Sequence, residues 1–104
     1  MSNLIIDVGE MLGVKEITVS EAGQLKKELV DRLADQPIHT LVLDLQGIRQ
    51  MDSSGLGVLV TVYKLMKAKG GNVSLFGPQP KVKSILDVTR VSQVIGIIDE
   101  LPSM

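Results

Sequence analysis

Hydrophobic and polar positions fall into blocks along the chain, and each change of period marks an element. Leu4-Ile5-Ile6-Asp7-Val8 is a short, nearly continuous apolar run of strand length, closed by Gly9. A second, weaker extended piece is expected over Val14–Val19. Thr18 and Glu21 then have the spacing of a capping box, in which hydroxyl and carboxylate satisfy each other's backbone donors at a helix start. Ala22, Leu25, Leu29 and Leu33 form one stripe of the helix that follows, with Lys26, Lys27, Asp31 and Arg32 turned away, and the helix stops before Pro37. Leu41-Val42-Leu43-Asp44-Leu45 is apolar almost throughout, as in a strand covered on both faces.

The segment from Met51 to Gly57 leads into a second long helix, marked by Leu59, Val62, Tyr63 and Met66 and ended by Gly70-Gly71. Val73–Phe76 alternates as a strand. Gly77-Pro78-Gln79-Pro80 is a turn, and Pro80 stands where a helix begins, with Val82, Ile85, Leu86 and Thr89 as its inward stripe. Val94–Ile98 reads either as an edge strand or as a last short helix. Strands alternating with helices, with no repeat and no linker, predict a single α/β domain over 1–104. Its sheet is expected to be mixed, of about four to five strands, with helices packed on it.

Composition narrows the picture by exclusion. The chain has 104 residues, one Tyr (Tyr63), one Phe (Phe76) and no Trp, so the core must be Leu, Ile, Val and Met. There is no cysteine, which removes disulfides, thiolate zinc and cysteine nucleophiles together and suits a reducing, cytoplasmic setting. Eleven basic and twelve acidic residues leave a net charge of −1, without the basic, aromatic-laced patch of a nucleic-acid binder. Met1-Ser2-Asn3-Leu4 has no charged leader, and no apolar run approaches the ~20 residues that span a bilayer. No nucleic-acid partner and no membrane insertion are therefore expected.

One segment breaks its own local rules. Gly55 and Gly57 occupy the first turns of a helix, where each costs roughly 0.5–1 kcal/mol relative to Ala. What a glycine supplies is backbone without bulk, which another protein's surface can approach. Ser53 and Ser54 stand just ahead of them, where unpaired N–H groups and the positive end of the helix dipole favour an anion. A phosphate there adds roughly −1.5 to −2 charges without unravelling the helix. Asp-Ser-Ser-Gly before an apolar helix is equally the pattern of an ordinary turn plus N-cap, so the residues alone leave both readings open. Asp52 either orients a neighbouring hydroxyl or closes the turn. Ser53 is expected to cap the helix, and Leu56 either meets a partner or packs on the sheet.

Other constellations lead nowhere. His39 is the sole histidine, and no paired-His metal spacing exists. Ser54 lacks the Gly-x-Ser-x-Gly setting of a hydrolase nucleophile, and no base can be named for it. No phosphate-binding loop is present. Lys64, Lys67 and Lys69 gather at a helix C-terminus, where cations are favourable and a solvated face suffices. No enzymatic activity, no cofactor and no metal are expected.

Leu43-Asp44-Leu45 followed by Met51-Asp52-Ser53-Ser54-Gly55-Leu56-Gly57-Val58-Leu59 resembles the signature of STAS domains, most closely of anti-sigma factor antagonists, and the likeness covers roughly residues 18 to 100. The resemblance implies that Ser54 matches the regulatory phosphoserine, with Ser53 as a secondary candidate. It implies that Asp52, Ser53, Gly55, Leu56 and Gly57 meet the partner. That partner is an anti-sigma factor that is itself a serine kinase. The unphosphorylated antagonist binds it and releases the sigma factor, phosphorylation ejects the antagonist, and a serine phosphatase resets the cycle. An alternative keeps the fold as a scaffold or transporter-associated subunit, with Ser53 and Ser54 only capping the helix. A monomer or weak dimer is expected. The chain departs from the family before its first long helix: residues 3–19 are short for two full strands joined by a hairpin, so a strand is either compressed or lost.

Overall fold

A computed structural model describes residues 2–34 and 37–102. Four strands, β1 (Ser2–Asp7), β3 (Ile38–Asp44), β5 (Asn72–Phe76) and β6 (Gly96–Ile98), form one sheet in the order β1-β3-β5-β6. Two short strands, β2 (Glu16–Ile17) and β4 (Gln50–Met51), pair with each other. The helices are α1 (Val8–Leu12), α2 (Val19–Ala34), α3 (Ser53–Ala68) and α4 (Pro80–Val88), with a 3-10 turn at Val91–Gln93. The α/β, STAS-like architecture is the one expected. The sheet is more regular than expected, however, because every pairing is parallel where a mixed sheet was anticipated.

The N-terminal region explains that difference. The extended run does not continue through Val8. The Asp7 carboxylate accepts the Glu10 N–H at 3.0 Å and caps a five-residue helix, which ends at Gly13 in the left-handed conformation (φ 67). The chain therefore turns away along α1 where a hairpin would have returned it antiparallel. Only Glu16–Ile17 of the expected piece over Val14–Val19 pairs as a strand, because the capping box claims Thr18 for α2. In that box the Thr18 N–H and hydroxyl both donate to Glu21 Oε1 at 2.9 Å. Pro80 does open α4, and the 94–98 region resolves as an edge strand preceded by the 3-10 turn.

Each step from β1 to β3 to β5 to β6 moves one place in the same direction. Right-handed crossovers then lay all the connecting helices on one face of the sheet. Burial agrees: Ile6, Leu41, Leu43, Val73 and Leu75 on that face join the helical residues Leu25, Leu29, Leu59, Val62, Met66 and Leu86 in one cluster. α2 and α3 pack side by side, and Lys69 Nζ ties the end of α3 to the Leu33 carbonyl at 2.8 Å. No described helix is long and apolar enough to cross a membrane.

Candidate functional site

The segment singled out in the sequence sits where the buried strand β3 has ended and the chain, after pairing at β4, turns into α3. Asp52 is the N-cap. Its Oδ1 accepts the N–H groups of Ser54 at 2.9 Å and Gly55 at 3.2 Å, while Oδ2 accepts the Val19 N–H at 3.2 Å. One carboxylate thus fastens the N-termini of α2 and α3 to each other. Its own N–H donates to the Ile17 carbonyl at 3.1 Å, anchoring the turn to β2. Asp52 therefore closes the turn and complements two helix ends, with no hydrogen bond to either serine hydroxyl.

Ser53 is not the cap. It is the first residue of α3 and exposed, and Ser54, the second, is half-buried. Among the described residues neither serine hydroxyl has a hydrogen-bond partner, so both are free for chemistry and neither holds the helix together. The helix-end donors that an anion would use are partly taken, since Asp52 already occupies the N–H groups of Ser54 and Gly55. A phosphate on either serine would lie beside that carboxylate with only part of the helix end left to neutralise it.

The two glycines divide in role. A Cβ on Gly55 would lie 2.7 Å from Met51 Cγ, 2.8 Å from Ile17 Cγ2 and 3.1 Å from the Ile17 carbonyl. Gly55 is buried, and it is glycine so that α3 can press against the β2–β4 pair. A Cβ on Gly57 would meet nothing within 4 Å, and the residue is exposed. Gly57 follows Ser53 by one helical turn and lies on the same side of α3. Leu56, at 5% exposure, belongs to the core. Of the residues assigned to a partner, then, Ser53 and Gly57 are exposed and Asp52 is half-buried, whereas Gly55 and Leu56 are turned inward because α3 must bury its apolar side against the sheet.

Sequence reasoning missed Val19. It is the first residue of α2, its N–H is held by Asp52, and its side chain is 74% exposed beside the α3 N-terminus. An apolar residue at the first position of a polar helix end was the available signal. The remaining candidates are peripheral: His39 is exposed at the far end of β3, and Lys67 lies over the Tyr63 ring at 5.6 Å. Among the described residues no group of three or more His, Cys, Asp or Glu is placed to hold a metal.

Comparison with known proteins agrees with this geometry. The model of the STAS domain matches residues 14–104. An anti-sigma F factor antagonist of Paenibacillus polymyxa is 32% identical, over 93% of this chain and 88% of its own. The unphosphorylated anti-sigma factor antagonist SpoIIAA superposes with a TM-score of 0.74 at 16% identity, covering 95% of this chain and 82% of its own. The phosphorylated form of SpoIIAA, from Bacillus, superposes with a TM-score of 0.62 at 18% identity, covering 82% and 77%. On its motif, its fold and the extent of these matches, the chain belongs to the STAS domain family.

Proposed function

We propose that this protein is an anti-sigma factor antagonist that binds its anti-sigma factor through the N-terminal turn of α3 and is switched off by phosphorylation of Ser54, with Ser53 as a secondary acceptor. The observation that carries the reading is the division of labour at that turn. Asp52 does the capping, which leaves both serine hydroxyls unpaired at a surface that Gly57 keeps flat. A scaffold whose serines merely capped the helix would need them where Asp52 is. The names of the relatives point the same way: one is an anti-sigma F factor antagonist, and SpoIIAA is known in unphosphorylated and phosphorylated forms.

The mechanism follows from charge. The unmodified turn presents small, neutral side chains, and the Asp52 carboxylate is already engaged by three N–H groups. Adding a dianion to Ser54 places it beside that carboxylate and against the partner. Burying it there without a paired cation costs several kcal/mol. Each ~1.4 kcal/mol is tenfold in affinity, so the complex dissociates. The kinase is the anti-sigma factor itself, and a serine phosphatase restores the binding form. The chain performs no catalysis of its own in this scheme.

The test is a binding measurement with the cognate anti-sigma factor kinase. Ser54→Ala keeps its affinity in the presence of ATP, where the wild type loses it. Ser54→Asp binds at least ten-fold more weakly, with an unchanged melting temperature. Full-affinity binding by Ser54→Asp and by the phosphorylated protein would overturn the reading.

A further inference from the structure

The acceptor turn does not end with α3, because Asp52 carries it across to a second helix. Asp52 Oδ2 accepts the Val19 N–H at 3.2 Å across 33 positions of the chain, so the first residue of α2 stands beside the cap of α3. The two helix starts repeat one another. α3 opens on the exposed Ser53 and has the exposed Gly57 one turn later; α2 opens on Val19, 74% exposed, and has the exposed Gly23 one turn later. A Cβ on Gly23 would meet nothing within 4 Å, as on Gly57, although glycine inside a helix is destabilising relative to Ala. Local preference does not account for Val19 either. A β-branched residue is a poor helix former, and at that exposure it gains almost no burial within the chain.

Charge identifies what these two helix starts accept. No charged side chain occurs from Ser53 through Tyr63, and from Val19 through Gly23 the only one is Glu21. Glu21 is engaged by the Thr18 N–H and hydroxyl, and Asp52 by three N–H groups, so both carboxylates are already paired within the chain. With no cation to meet an acid and no unengaged acid to meet a cation, what remains for recognition is apolar. We infer, resting on the proposed role of the acceptor turn, that the anti-sigma factor reaches from α3 onto the start of α2 and seats an apolar side chain on Val19, with Gly23 leaving room for it. Val19 is then a recognition residue outside the Asp-Ser-Ser-Gly-Leu-Gly motif. It also serves the switch: a side chain that covers Val19 keeps water from the Asp52 turn, and a dianion on the adjacent Ser54 is harder to accommodate in drier surroundings.

The experiment measures affinity for the anti-sigma factor kinase without ATP, and the melting temperature, for a set of variants that includes Ser54→Asp. Val19→Thr exchanges a methyl group for a hydroxyl group at nearly constant shape. It is expected to bind at least about five-fold more weakly with an unchanged melting temperature. The loss should be the same at about 50 and about 500 mM salt, because screening does not weaken an apolar contact. Val19→Ile keeps the affinity. Gly23→Gln should raise the melting temperature through helix propensity and still weaken binding at least ten-fold, opposite effects that a purely structural glycine would not give. Val88→Thr, at a comparably exposed valine that ends α4, is the control and binds as the wild type. Wild-type affinity in Val19→Thr or Gly23→Gln, with Ser54→Asp still weakened, would overturn this inference and leave the phosphoserine reading standing. So would an equal loss in Val88→Thr, or a loss in Val19→Thr that fades with salt. Wild-type affinity in Val19→Thr, Gly23→Gln and Ser54→Asp alike would overturn both.

Discussion

At the scale of single residues, the account turns on how Asp52 and the two glycines share one helical turn. Asp52 holds three N–H groups belonging to two helices. Its replacement by Ala removes an N-cap and the bond to Val19 together, and is expected to cost about 1–2 kcal/mol in chemical denaturation. Gly55 and Gly57 should respond in opposite senses to the same change. Gly55→Ala drives a methyl group into Met51 and Ile17 and should destabilise by roughly 1–3 kcal/mol. Gly57→Ala adds a methyl group to open space and should stabilise by up to about 1 kcal/mol through helix propensity. A bulky residue at Gly57 should leave the melting temperature nearly intact and weaken anti-sigma factor binding at least ten-fold. If that variant instead bound normally, the flat surface would have no part in recognition. The motif was visible in the sequence but this partition was not, because spacing cannot say which of two glycines faces the neighbouring strand pair.

At the scale of elements, the long periodic pieces were legible and the short ones were not. The stripe of Leu25, Leu29 and Leu33 and the capping box at Thr18 and Glu21 specify α2 unambiguously, since both signals are local. α1 was hidden because Val8, Met11 and Leu12 continue an apolar run, and only the Asp7–Glu10 cap breaks it. β2 and β4 have two residues each and exist through pairing with each other, which no local pattern encodes. α4 offers a separate electrostatic test. The Asp87 carboxyl is held below its ordinary 3.8 first by a hydrogen bond from Ser92 and then by Lys83 at 3.3 Å. A lowered folded-state value means the stabilisation is present above pH 3.8 and is lost as pH falls through the folded value. Asp87→Asn should therefore lower the melting temperature slightly at pH 7 and leave it unchanged at pH 2. An equal loss at both values would mean that the ionised form is not what matters. The pair is exposed, so the effect is small and shrinks with added salt.

At the scale of the whole molecule, one-directional winding of the sheet sends the helices, the core and the serine turn to one side. The sequence showed strands alternating with helices, and hence the layer type. It did not show strand direction, because β1 is parallel or antiparallel depending on whether the chain after Asp7 turns into a helix or a hairpin. β4 and α3 carry the acceptor turn, and neither belongs to that N-terminal region. On the proposed function, a phosphate there would alter the surface while Asp52 keeps both helix ends fastened, so the modification would act on association and not on folding. The central claim is that this turn is a phosphorylation switch, and phosphosite mapping by mass spectrometry tests it most directly. The purified protein is incubated with ATP and native cell extract in which serine kinase activity has been demonstrated. The account predicts phosphate on Ser54 that is absent from Ser54→Ala. An unmodified Ser54 in that active extract, or phosphate confined to residues away from Ser53 and Ser54, would contradict it.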